Sequence, residues 1–137
     1  MWRDGLSPRL TCMSIELSHI VIPARSKWAS ATFLASILDV PAGPQRELFV
    51  PVKVSNGVTL DYADAQRFDF HHCAFLASDA EFDAAYARIR STGITYFAGP
   101  HHQRPGEVGH LRGGRSVHFD DSDGHHIEII TRPYDVR

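Results

Sequence analysis

The sequence has no long apolar run and few cysteines. No window of its 137 residues approaches the roughly 20 consecutive apolar residues of a membrane-spanning helix. Residues 1–14 also lack the continuous apolar stretch of a secretory signal. The two cysteines, Cys12 in a polar leader and Cys73 in an apolar run, do not suggest a disulfide framework. We therefore expect a cytoplasmic protein that has no membrane partner.

A strong charge of either sign is also missing. The net charge is -2 at pH 7, and no run of Lys and Arg is long enough to follow a phosphate backbone. Nucleic acid is therefore not expected as a partner, and a small-molecule substrate is. A chain of this length with 43% apolar residues suits one compact domain. We expect an N-terminal tail over residues 1–14 and a single domain over 15–137.

Hydrophobic alternation and turn signals divide the chain into two similar halves. In the first half, Pro51 indicates an edge or bulged strand, and Asn56-Gly57 is a strong hairpin signal. In the second half, Ser78 and Glu81 have the spacing of a capping box that begins a helix. The predicted strands are residues 17–22, 48–54, 58–63, 72–76, 94–98, 115–119 and 127–130; the predicted helices follow Ser26 and Ser78, and residues 99–114 are predicted to form a loop.

Chemically similar residues recur at matching places in the two halves. His19 and His72 lie 53 residues apart, and Asp61 and Glu128 lie 67 residues apart, with the extra residues in the long second-half loop. We interpret this recurrence as a duplicated βαβββ unit, with modules over about 15–66 and 69–134. Equivalent positions of the two modules can then converge, which would bring these four side chains together.

Histidine is the one residue type in unusual supply, with nine copies in the chain. It is the commonest metal ligand and a near-neutral acid or base. Two imidazoles with one or two carboxylates suit one divalent ion of Fe, Mn, Co, Ni or Zn, and a 2-His-1-carboxylate set leaves positions open for a substrate. The pairs His101-His102 and His125-His126 are more typical of loop histidines, and His71 is expected on the exposed face of its strand.

Three stretches of the chain resemble the vicinal oxygen chelate superfamily, which includes glyoxalase I, fosfomycin-resistance thiol transferases, bleomycin-resistance proteins and extradiol dioxygenases. They are Leu17-Ser18-His19, His72-Cys73-Ala74-Phe75 and residues 119–128, and the last is similar to the F-x-D-P-x-G-x-x-x-E ending of the superfamily, with Ser122 replacing the proline. The resemblance covers residues 17–134. It implies an α+β fold of two tandem βαβββ modules that form an incomplete barrel around a metal. It also implies a homodimer, often with each site built from modules of both subunits.

The resemblance assigns His19, His72 and Glu128 as the metal ligands. Asp61 falls near the position where glyoxalase I has a fourth, glutamate ligand. Because Asp is one methylene shorter than Glu, Asp61 can instead be a general base, an acceptor that contacts a ligand, or a plain surface carboxylate.

The resemblance also implies a set of substrate-facing residues in the penultimate strand. Ser116 and His118 share one face of that strand by period-two spacing and match positions that face the cavity in similar proteins. His118 is the first candidate for an acid/base role or a polar contact. Arg115 is a candidate anchor for an anionic substrate.

Three functions follow from the resemblance. The leading hypothesis is a glyoxalase-like lyase, isomerase or thiol transferase that acts on a small oxygen-rich molecule through a metal chelated by vicinal substrate oxygens. The second is an Fe(II) dioxygenase of the extradiol type. The third is a metal-free ligand-binding protein similar to the bleomycin-resistance proteins.

Overall fold

The computed structural model describes residues 15–133. The tail predicted over residues 1–14 and Cys12 therefore lie outside the described residues. In chain order the elements are β1 (His19–Ala24), α1 (Lys27–Leu38), β2 (Val50–Lys53), β3 (Thr59–Asp64), β4 (His72–Leu76), α2 (Asp79–Thr92), β5 (Gly109–Leu111), β6 (Gly114–Asp120) and β7 (His126–Ile130).

The first module is a three-stranded sheet with one helix. Its strands lie in the order β1-β3-β2, with β1 parallel and β2 antiparallel to β3. The edge position of β2 confirms the prediction from Pro51, because a central strand would need the amide hydrogen that proline lacks. Helix α1 begins at its N-cap Ser26 and ends at Asp39, which adopts a left-handed conformation.

The second module is a four-stranded sheet with one helix. Its order is β4-β7-β6-β5, in which β4 and β7 are parallel and the other pairs antiparallel. Ser78 and Glu81 form the predicted capping box of α2, and Gly93 ends the helix with a φ of 79°. The strand predicted at residues 94–98 is wrong: there Phe97 makes only isolated bridges, to Pro105 and His118. A short strand, β5, lies instead in the predicted loop.

The strand registers of the two modules match. Val21, two residues after His19, pairs with Asp61 across the parallel strands β1 and β3. Ala74, two residues after His72, pairs with Glu128 across β4 and β7. This correspondence is what a duplicated unit predicts.

Both modules bury apolar side chains against their helices in one core. The core includes Ile22 and Leu60 of the first sheet and Val117 and Ile129 of the second. The two sheets are not hydrogen-bonded into one, so the barrel is incomplete and the α+β prediction is confirmed. Because side chains alternate across a strand, the opposite face of each sheet is left for polar residues. Among residues 15–133, no helix has the length and apolar character needed to cross a membrane.

Candidate metal centre

The structure brings His72 and Glu128 into direct contact. Their strands are parallel neighbours, and Nε2 of His72 lies 2.6 Å from Oε1 of Glu128. The Glu128 side chain is only 2% exposed, whereas that of His72 is 53% exposed. A carboxylate withdrawn from water therefore faces an accessible imidazole, and both groups are donor types that divalent metals accept.

The structure does not place His19 with this pair. His19 is exposed on β1 of the other sheet, where its Nδ1 lies 3.2 Å from the hydroxyl of Ser18. Within residues 15–133 of a single chain, no three His, Cys, Asp or Glu side chains are grouped so that they could hold a metal. One chain therefore joins two of the three predicted ligands.

Asp61 is buried without a partner for one of its oxygens. It is 3% exposed, and in the described part of the chain its Oδ1 has no hydrogen-bond partner. Burying an uncompensated carboxylate is costly. A cation or a hydrogen-bond donor at Oδ1 of Asp61 would remove this cost. Asp61 occupies the position in the first sheet that Glu128 occupies in the second.

Beyond Glu128, three further side chains continue a row of contacts across the second sheet. His118 is 1% exposed, and its Nε2 lies 3.8 Å from Oε2 of Glu128. Its Nδ1 lies 2.9 Å from Nε2 of His126, and Nδ1 of His126 lies 3.1 Å from Oδ1 of Asp120. We call the row Asp120, His126, His118 and Glu128 the imidazole chain. Burial lowers the pKa of His118, an effect that the charge of Glu128 opposes and the neighbouring histidines reinforce.

The outer end of the imidazole chain reaches the long loop. Oδ2 of Asp120 lies 2.8 Å from Nε2 of His102. The prediction that His126 is a loop histidine is wrong, because it lies in β7 opposite Asp120 and its ring packs edge-on against His72 at 4.7 Å. The antiparallel register around the Asp120-to-His126 turn could have revealed this pair, whereas nothing in the sequence marked His102.

The other member of the second histidine pair joins the two modules. His125 is 1% exposed, and its Nε2 lies 2.7 Å from the carbonyl oxygen of Pro23 in β1. Its Nδ1 accepts a hydrogen bond from the backbone N–H of His71, which is half-buried rather than exposed as predicted. His125 is therefore a structural link between the first strand of one module and the last turn of the other.

Asp123 strengthens this link from the same turn. Its carboxylate accepts hydrogen bonds from the backbone and guanidinium of Arg25, at 3.1 and 3.2 Å, and from the hydroxyl of Ser30. The Asp123 side chain is 3% exposed. All three donors belong to the first module.

The remaining predicted site residues lie on opposite faces of β6. Ser116 shares the face of His118 and donates a hydrogen bond to the carbonyl of Ala98 at 3.4 Å. Arg115 lies on the other face, where its guanidinium contacts Asp79 and Asp83 of α2 at 3.0 and 2.6 Å. The structure therefore does not bring Arg115 to the metal pair, and its role as a substrate anchor stays a prediction that this placement does not favour.

Cys73 does not join the donor set, although it follows His72 directly. It lies on the opposite face of β4 and packs against the core. Burial, followed by the charge of Asp121, raises the pKa of its thiol. A thiol that resists deprotonation is a poor metal ligand and a poor nucleophile.

Several solved structures have a similar fold. FosX, a fosfomycin resistance protein from Listeria monocytogenes, has a TM-score of 0.67 at 23% identity and covers 91% of this chain and 97% of its own. Oxidase ChaP-H2 has 48% identity and a TM-score of 0.87 over 89% of this chain and 97% of its own. Oxidase ChaP-H1 has 43% identity and a TM-score of 0.86 over 88% and 98%. The chain belongs to the vicinal oxygen chelate superfamily.

Membership in the vicinal oxygen chelate superfamily accounts for the duplicated modules and the open barrel. No family model and no curated protein matches the sequence. Proteins of this superfamily typically depend on a metal, which agrees with the donor types that His72 and Glu128 present. The superfamily hosts several chemistries, so the activity must be argued from the site.

Proposed function

We propose that this protein is a metal-dependent oxidase that acts on a small oxygen-rich molecule. The observation that carries the proposal is the 2.6 Å contact between the buried carboxylate of Glu128 and the exposed imidazole of His72. Identity of 48% with an oxidase favours oxygen chemistry over the lyase, isomerase and thiol-transferase hypotheses and over a metal-free binder. Among the three sequence-based hypotheses, the Fe(II) dioxygenase lies nearest to this proposal.

The donor set fits a divalent ion such as Fe(II). Imidazole and carboxylate groups are the ligands of the 2-His-1-carboxylate class, and the buried Oδ1 of Asp61 has no hydrogen-bond partner among the described residues. His19, His72 and Glu128 are the residues that would hold the ion. When bound, the ion supplies Lewis acidity, redox capacity and open positions for neighbouring substrate oxygens.

The chain's own polar groups then have separate tasks. Glu128 would supply a negative charge to the ion, and His72 would supply a neutral imidazole ligand. Asp61 is the group we assign to accept a hydrogen bond or a proton from a substrate hydroxyl, because its buried oxygen has no other partner among the described residues. Ser116 offers a polar contact on the same face as Glu128. His118 has its Nε2 3.8 Å from Oε2 of Glu128, and we assign it to act through Glu128.

The third ligand comes from a second copy of the chain in our proposal. Each chain carries two incomplete half-sites, His19 on the first sheet and His72 with Glu128 on the second. Each half-site has an exposed apolar neighbour on the same face of its strand, Val21 at 42% and Leu76 at 63% exposure. A twofold homodimer that packs the first sheet of one chain on the second sheet of the other would cover both surfaces and complete two sites.

Metal analysis of the purified, anaerobically reconstituted protein tests the assignment. We expect about one metal per chain for the native protein and His110→Ala, which removes an exposed histidine from β5, and far less for His19→Ala, His72→Ala and Glu128→Ala. Offering Fe, Mn, Co, Ni and Zn together identifies the preferred ion. Retention of the metal by the three ligand variants would contradict the assignment, and a native protein that stays empty would remove the oxidase proposal.

A further inference from the structure

The contacts of the imidazole chain determine which ring nitrogens carry hydrogen atoms. It contains three contacts: Asp120 with His126, His126 with His118, and His118 with Glu128. Carboxylates accept hydrogen bonds, and a neutral imidazole has one N–H and one acceptor nitrogen. When both rings are neutral, two hydrogens serve three contacts, so one contact lacks a hydrogen.

The distances show which of the three contacts lacks a hydrogen atom. The separations of 3.1 Å between Asp120 and His126 and 2.9 Å between His126 and His118 are hydrogen-bond lengths. The separation of 3.8 Å between His118 Nε2 and Glu128 Oε2 is too long for a hydrogen bond. Nδ1 of His126 therefore donates to Asp120, and Nδ1 of His118 donates to Nε2 of His126. This leaves Nε2 of His118 as an acceptor that faces the carboxylate.

We propose that Asp120 is a positioning residue that sets, through His126, the tautomer of His118, so that His118 presents a bare nitrogen to Glu128. With the opposite tautomer, the N–H of His118 Nε2 would point toward the Glu128 carboxylate and compete with a cation for it. With the tautomer that Asp120 selects, two acceptors face each other in a buried place, and a nearby cation relieves their repulsion. The second part of this inference, support of the metal, rests on the proposed function.

His102 provides the internal control. It contacts Oδ2 of Asp120, whereas His126 contacts Oδ1. Loss of His102 therefore leaves the contact between Asp120 and His126 in place, and removes the contact with Oδ2 of Asp120 and a ring contact with Phe97.

Nitrogen-15 NMR of histidine-labelled, full-length, metal-free protein tests the tautomers directly. In the native protein we expect the hydrogen on Nδ1 of both His118 and His126. In Asp120→Leu, which has no acceptor, we expect both rings to lose that preference. Asp120→Asn keeps an acceptor oxygen and should retain it, as should His102→Ala. The proposal is overturned if native His118 carries its hydrogen on Nε2, or if folded Asp120→Leu leaves both tautomers unchanged.

Zn(II) affinity of the same variants, measured by chelator competition, separates this proposal from the metal assignment. We expect Asp120→Leu to bind roughly 10-fold to 100-fold more weakly than the native protein, and Asp120→Asn and His102→Ala to bind nearly as tightly. If native protein binds no Zn(II), the proposed function is contradicted. The NMR result still shows whether Asp120 sets the tautomer of His118. If native protein binds Zn(II) and Asp120→Leu binds equally well, Asp120 has no influence on the metal.

Discussion

Asp61 and Asp123 are two buried carboxylates with opposite surroundings. Asp123 has three donors from the first module, whereas Oδ1 of Asp61 has none in the described part of the chain. Burial favours a carboxylate only when hydrogen bonds replace its lost hydration. The same residue type is therefore expected to stabilise the fold at one position and to weaken it at the other.

Asp123→Asn is expected to destabilise the protein by about 1.5–3 kcal/mol, the range of a hydrogen bond to a charged group. The substitution removes the negative charge to which Arg25 and Ser30 donate hydrogen bonds. It also replaces one acceptor oxygen with an amide nitrogen, which is a donor. Urea unfolding measures the loss, with exposed Asp69→Asn as the control. A midpoint equal to that of the control would show that this turn does not hold the modules together.

Asp61→Asn is expected to have the opposite effect on metal-free protein. Removing a buried, uncompensated charge should raise the free energy of unfolding by about 1 kcal/mol. The same variant should lose most of the oxidase activity, because the proposed acceptor of the substrate hydrogen is gone. Thermal unfolding of the metal-free variant provides the measurement, and a lowered midpoint would contradict the account of Asp61.

At the scale of elements, the sequence reveals those whose local signals agree with their packing. Ser26 and Ser78 mark both helix starts, and Pro51 marks an edge strand, because capping and proline effects act within a few residues. Residues 94–98 looked like a strand but pair only at Phe97. Whether a short apolar run finds a partner strand depends on chain positions far away in sequence, so local propensity could not decide it.

The capping box of α2 makes a pH-dependent contribution to stability. A hydrogen bond from the backbone of Ser78, and then one from its side chain, lowers the pKa of Glu81. A lowered folded-state pKa means that the contribution is complete above the ordinary glutamate pKa, about 4.3, and is lost as the pH falls through the lower folded value.

Unfolding of Glu81→Ala and native protein at a series of pH values checks this sign. The difference between them should be constant from pH 7 to 5 and shrink as the pH falls below about 4.3. Exposed Glu107→Ala provides a comparison without a helix cap. A difference that grew on acidification would contradict the capping role.

At the scale of the whole molecule, the duplication was the informative sequence signal. It predicted the equivalence of His19 with His72 and of Asp61 with Glu128, which the strand registers confirm. It could not predict that His19 lies apart from His72 and Glu128 within one chain. A sequence repeat shows which positions of the two modules are equivalent, but not which modules face each other. The imidazole chain was missed because His126 was expected in a loop, whereas it lies in β7 opposite Asp120.

A metal site shared between two chains predicts that two defective variants complement each other. His19→Ala and Glu128→Ala chains each lack a ligand. In a mixed dimer, one site would combine His19 from the Glu128→Ala chain with His72 and Glu128 from the His19→Ala chain, and the other site would lose both ligands.

The most direct measurement is therefore metal analysis of the two variants, unfolded and refolded separately and as an equal mixture. A shared site predicts almost no metal in either variant alone and about a quarter of the native content in the mixture, since half of the dimers are mixed and each regains one of its two sites. A mixture that stays as empty as its components would contradict the shared site.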